Sequence, residues 1–194
     1  MRNGLKLVLV YVGAVAAGLA ATLAFLRLPL MGSDIQVGAW RTSLVSGSVD
    51  ADLYTRAKVA RVGLLALSRA ETLYFVADRD DTGAPLRSRC RYRIEGVPPP
   101  ARWWSITAYA DDFFLFADPQ HRYSLAGAQA RLDGSGQFVL HTGLARPEDD
   151  GAWLPTPGDR GLVLTLRLYQ PVAELAAMPQ RLEPPAIRAV GSCS

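Results

Sequence analysis

Between Lys6 and Arg27 the chain runs for twenty residues, LVLVYVGAVAAGLAATLAFL, without a charge. At roughly 1.5 Å per residue, a helix of that length spans about 30 Å, the thickness of a bilayer core. Such a run either crosses a membrane or is removed as a leader. A secretory leader usually carries about 7 to 15 apolar residues and ends at an A-x-A-like site. Here the apolar run continues to Leu26, and Arg27, Leu28 and Pro29 follow. The pattern predicts an uncleaved signal anchor over residues 7–26. Arg2, Lys6 and the terminal amine outnumber Arg27 on the far side, which puts residues 1–6 in the cytoplasm and the remainder outside. In a bacterial cell that is a single-pass inner-membrane protein with a periplasmic body.

The charge distribution follows from this topology. The formal net charge is +3, and Arg2, Lys6 and Arg27 supply all of it, so that residues 34–194 are formally neutral. A neutral body gives no electrostatic case for nucleic acid. Its size and the 49% hydrophobic composition suit one modest domain with a real core. We read 27–36 as a linker, 37–190 as the exported domain and 191–194 as a tail. Cys90 and Cys193 can pair in an oxidising compartment. With Cys193 on a fraying tail and Cys90 in a predicted strand, the expected state is a buried free thiol at Cys90.

The body opens with one helix. Leu53, Ala57, Ala60, Leu64 and Leu67 recur as an apolar stripe, with Ser48 or Asp50 as the candidate N-cap. From Glu71 the period changes to two. ETLYFVA, RSRCRYRIEG, RWWSITAYA, FFLFA, QFVLHTG and GLVLTLRLY read as strands separated by Gly, Pro and Asp clusters. Six strands in about 100 residues predict an antiparallel β-sandwich. In the last strand Leu162, Leu164, Leu166 and Leu168 share one face, the core, and Arg167 points to the other. VPPPA and WLPTPG are expected to form turns or edges.

Familiar chemistry fits poorly. DRDDTG has calcium-loop residues at Asp78, Asp80 and Gly83, but Thr82 and Arg89 stand at the fifth and twelfth positions where strong oxygen donors are required, so a polar hairpin turn is the better reading. His121 and His141 lack any G-x-S-x-G partner or metal-ligand spacing and read as surface or packing residues. No catalytic residue, metal or cofactor is assigned. The most distinctive polar pattern is Arg87, Arg89, Arg91 and Arg93, which on a continuous strand would place four guanidinium groups on one face. Such a ribbon suits the oxyanions of an anionic lipid or acidic glycan, or else is a solvated face with acidic cross-strand partners. The adjacent Trp103 and Trp104 must point to opposite faces, one into the core and one free.

Taken in order, ADLYTRAKVARVGLLALSRAETLYFVADRDDTGAPL, YRIEGVPPPARWWSITAYA, RYSL, the DGSG turn, WLPTP and LRLYQP resemble the bacterial domain-of-unknown-function family numbered 1214. The resemblance covers residues 37–190 and implies a jelly-roll-like β-sandwich. In longer relatives this domain follows one numbered 1254, whose place here is taken by the membrane helix. The family carries no established catalytic residues, so the resemblance implies a fold and an association. The polar residues Arg56, Arg122, Arg167, Tyr109 and Tyr169 would form an anionic-ligand pocket if they converged beside Trp104. The expected function is a non-enzymatic cell-envelope component working with a separately encoded 1254-type protein. The rivals are a carbohydrate- or anionic-headgroup-binding module and an envelope hydrolase.

Overall fold

The computed structural model describes residues 2–27, 34–44, 48, 51–61, 67–149, 151–191 and 193. The apolar run lies within one helix, α1 (Arg2–Arg27). Its Gly4–Phe25 stretch is 22 residues long, apolar enough to cross a membrane, and not buried against the rest of the chain. Residues 28–33 of the linker and Leu64 of the helical stripe lie outside the described residues.

The body is built on two sheets. Strands β1 (Asp34–Val37), β2 (Trp40–Ser43), β3 (Thr72–Ala77), β5 (Ala101–Ala110), β6 (Ser124–Ala126) and β9 (Leu162–Pro171) form a six-stranded sheet in the order β1-β2-β3-β9-β5-β6. Strands β4 (Tyr92–Gly96), β7 (Phe138–Gly143), β8 (Ala152–Pro155) and β10 (Ala186–Ala189) form a second, in the order β10-β4-β7-β8. The described pairings are antiparallel except for β7 with β8. The inner faces share a core, where the leucine row of β9 meets Phe75, Ile94, Ile106, Phe138 and Leu140. Trp104 of β5 reaches the other sheet at Phe138, ring centroids 4.7 Å apart. The two-sheet sandwich read from the strand pattern is therefore the fold observed.

The one helix expected in the body is present. Helix α2 (Leu53–Arg61) is capped by Asp52, whose Oδ1 accepts the amides of Tyr54 and Thr55 at 2.8 and 2.9 Å, in place of Ser48 or Asp50. Thr55 is buried and Val59 half-buried, whereas Leu53, Ala57 and Ala60 of the apolar stripe are exposed.

Three further expectations are corrected. FFLFA is not a strand: Phe113 takes φ 63° in a turn closed by the Phe113 amide on the Ala110 carbonyl, and Leu115 makes only an isolated bridge to Tyr109. The strand expected over 87–96 exists only from Tyr92. Before it the chain turns, because Ser88 is buried and tied across the fold, its hydroxyl donating to the Gly158 carbonyl at 2.8 Å and accepting the Arg160 amide at 2.9 Å. Finally, Cys90 is not a free thiol. It is disulfide-bonded to Cys193, with Cα atoms 4.9 Å apart, because β10 pairs along β4 and brings the tail beside Arg91, whose carbonyl accepts the Val190 amide.

Candidate functional site

With residues 87–91 out of the strand, the four arginines do not form one row. Arg89 pairs with Asp159 at 3.2 Å. Arg93 is held by Glu95 at 2.7 Å and Asp149 at 3.3 Å. Arg87 and Arg91 are exposed. DRDDTG is a closed turn, in which Asp80 Oδ1 accepts from the Thr82 amide, the Thr82 hydroxyl and the Ala84 amide, while Asp78 is bonded by both terminal nitrogens of Arg41. Among the described residues no group of three His, Cys, Asp or Glu side chains gathers to hold a metal.

The second polar set separates into three places. Trp104 is buried in the core and lies so close to Gly127 that a Cβ there would meet its Nε1 at 2.6 Å. Arg56 is engaged at the start of α2, where Nε donates to the Ala51 carbonyl at 2.8 Å. Arg122 grips the buried carboxylate of Asp118 through Nε and Nη2 at 2.9 and 3.0 Å, and its guanidinium lies 4.5 Å from the centroid of the Trp153 ring. This Arg122 fork, backed by the Arg122 amide, holds the Asp118 carboxyl far below the ordinary carboxylate range. The group therefore stabilises the fold fully above its unfolded value near 4 and loses that contribution as pH falls towards its folded value. Acid titration of wild type and Asp118→Asn by circular dichroism is expected to show the wild type losing stability below about pH 4, with a visibly flatter profile in the variant.

Arg167, Tyr109 and Tyr169 do share a surface. Register places Arg167 opposite Ser105 and Tyr74, and Tyr169 opposite Trp103 and Thr72, on the outer face of the six-stranded sheet. Arg167 Nη1 donates to Thr107 Oγ1 and Nη2 to the Tyr109 hydroxyl, both at 2.9 Å. Trp103, 41% exposed, packs edge-on against Tyr169 with centroids 4.9 Å apart. The free member of the tryptophan pair is thus Trp103.

What distinguishes Arg167 is its lack of a counter-ion among the described residues. The other half-buried arginines among the described residues, Arg41, Arg93 and Arg122, each pair with Asp or Glu. Among the described residues Arg167 is held by neutral groups, the hydroxyls of Thr107 and Tyr109 and the face of the Tyr109 ring, 5.5 Å from its centroid. Two of its five N–H donors are used, and the two hydroxyls that accept them keep their own protons for other acceptors. Thr165, on the same face and opposite Thr107, is fully buried with its Oγ1 unpartnered. A half-buried cation with N–H donors to spare is complementary to a carboxylate or phosphate oxygen.

The second sheet carries a pair that the sequence did not reveal. His141 Nε2 lies 2.9 Å from Asp149 Oδ2, and Asp149 lines an open cleft of about 480 Å³ with Arg93, Arg131, Asp133 and Gln137. His121 is exposed and bonds Tyr123. Only folding could show the His141 contact, since residues 144–149 loop back onto the strand they leave.

A shared core between two sheets, preceded by one apolar helix, makes this a β-sandwich domain. Within that class the chain belongs to the family described as Protein of unknown function (DUF1214), whose model matches residues 71–173, just over half of the chain. The structure is similar to the crystal structure of the VPA0106 protein from Vibrio parahaemolyticus, with a TM-score of 0.59 and 22% identity over 73% of this chain and 36% of that one. A structure of an uncharacterised protein from Burkholderia cenocepacia aligns over 90% of this chain and 42% of that one, at 14% identity and a TM-score of 0.44. This chain thus spans little more than a third of the length of VPA0106. No curated protein matches it.

Proposed function

We propose that the chain is a non-enzymatic envelope component, anchored in the inner membrane by α1 with its body in the periplasm, and that it works through the Arg167 face with a protein carrying a 1254-type domain. The uncompensated, half-buried charge of Arg167 carries this reading. Even half-buried, a cation without a carboxylate is costly unless something supplies one, and an acidic side chain of a partner does so. The length of VPA0106 supports the idea of a neighbouring domain, because the shared fold fills only 36% of that chain. Two proteins held in one membrane meet far more readily than two in solution. The disulfide suits a periplasmic body.

Pull-down of the full chain from detergent-solubilised membranes is expected to recover the 1254-domain protein at near-equal stoichiometry. Its absence from the eluate counts against the partnership. A second reading takes the same cationic site as a receptor for an anionic lipid headgroup or acidic glycan, with Trp103 and Tyr169 as an aromatic wall. Binding of the body to lipopolysaccharide or anionic vesicles, lost on Arg167→Gln, in the absence of any protein partner would favour it.

A further inference from the structure

We infer that α2 is an interfacial helix, which lays its outward stripe on the surface of the membrane that α1 spans. The inference rests on the membrane reading of α1 and adds a second point of attachment. Its basis is the face that the helix turns outward. Leu53 is 81% exposed and Tyr54 57% exposed, with Ala57 and Ala60 also turned outward, while Thr55 faces in. A stripe of this kind facing water is unfavourable, and Leu53, Ala57 and Ala60 belong to the apolar stripe read from the sequence.

What covers it follows from where the helix starts. The Tyr54 ring packs on Phe25 of α1, with centroids 4.7 Å apart, and Phe25 is the last residue of the stretch long enough to cross the bilayer. The first turn of α2 therefore stands where α1 leaves the hydrocarbon. Tyrosine is favoured at that depth, its ring in the apolar zone and its hydroxyl at the headgroups. The outward surfaces of α1 and α2 meet at this contact, so the lipid that surrounds α1 extends to Leu53. The helix sequence LYTRAKVAR also contains three bases and no acid, the composition of a helix that lies on a membrane containing anionic lipid.

The test uses the full chain in proteoliposomes of phosphatidylcholine and phosphatidylglycerol, with a polarity-sensitive fluorophore on one introduced thiol and the native disulfide intact. The positions are Ala57→Cys, Gly134→Cys in the exposed turn after β6, and Gly13→Cys inside α1. Gly13 and Gly134 have no neighbouring atom that a new side chain would meet within 4 Å. Lipids brominated near the headgroup are expected to quench the residue-57 label several-fold more than the residue-134 label, and deeply brominated lipids to quench the residue-13 label. Adding Leu53→Glu and Tyr54→Glu is expected to abolish quenching at residue 57 and leave it at residue 13. Quenching at 13 with none at 57 overturns the docking and leaves the anchor standing. No quenching at 13 overturns the anchor itself. Efficient crosslinking between two residue-57 thiols, without quenching, assigns the stripe to a second copy and also overturns the proposal.

Discussion

Reducing the Cys90–Cys193 bridge is expected to lower the stability of the body by about 3–5 kcal/mol. The bond closes a loop with a sequence separation of 103 residues, and restricting a loop of that size in the unfolded chain gives an effect near the upper end for a single disulfide. It also acts at a vulnerable place. Strand β10 is an edge strand of four residues that, among the described residues, pairs only with β4, yet it buries Ile187 completely. Just before it, the Pro185 carbonyl accepts the indole N–H of buried Trp40 at 2.7 Å. Release of the tail therefore loosens a strand that helps to close the core. Urea unfolding with and without reductant, compared with Cys193→Ser, is the measurement. The wild-type midpoint is expected to fall on reduction to that of the variant, which itself does not respond to reductant. A wild-type midpoint indifferent to reductant contradicts the bridge.

Arg167→Gln is expected to weaken capture of the 1254-domain protein by about ten- to a hundredfold, the loss of one charge-assisted hydrogen-bonding group worth about 1.5–3 kcal/mol. Arg167→Lys restores the charge but not the fork, and recovers only part of the binding. Tyr109→Phe removes one hydroxyl that supports the guanidinium and costs less than the charge itself. The urea midpoint separates binding from folding: it should move little in Arg167→Gln, because the leucine row of β9 on the opposite face carries the packing. Unchanged capture by Arg167→Gln, with unchanged stability, removes the Arg167 face from the account.

The parts of this structure that were legible in the sequence are those set by local period. Alternation in β9 assigned Leu162 to Leu168 to the core and turned Arg167 away from it, and the same rule required Trp103 and Trp104 to part company. The arginine ribbon failed because alternation fixes a face only on a continuous strand. The turn at Ser88 depends on contacts about seventy positions away, with Gly158 and Arg160. The stripe of α2 was visible as a set of residues sharing a face, but period alone does not say which surface receives that face. The disulfide was hidden for a related reason. AIRA is too short and too ordinary to announce a strand, and without β10 the tail has no path to Cys90. The neutral, hydroxyl-lined setting of Arg167 needed the register between β5 and β9, which is a property of the assembled sheet.

The most direct test of the whole account is photo-crosslinking in intact cells from a photoreactive residue in place of Trp103, which is exposed beside the Arg167 site. A single ultraviolet-dependent adduct containing the 1254-domain protein, lost on Arg167→Gln, is the expected result. No adduct, an adduct that persists without Arg167, or adducts with cytoplasmic proteins would contradict a periplasmic body that engages its partner through this charge.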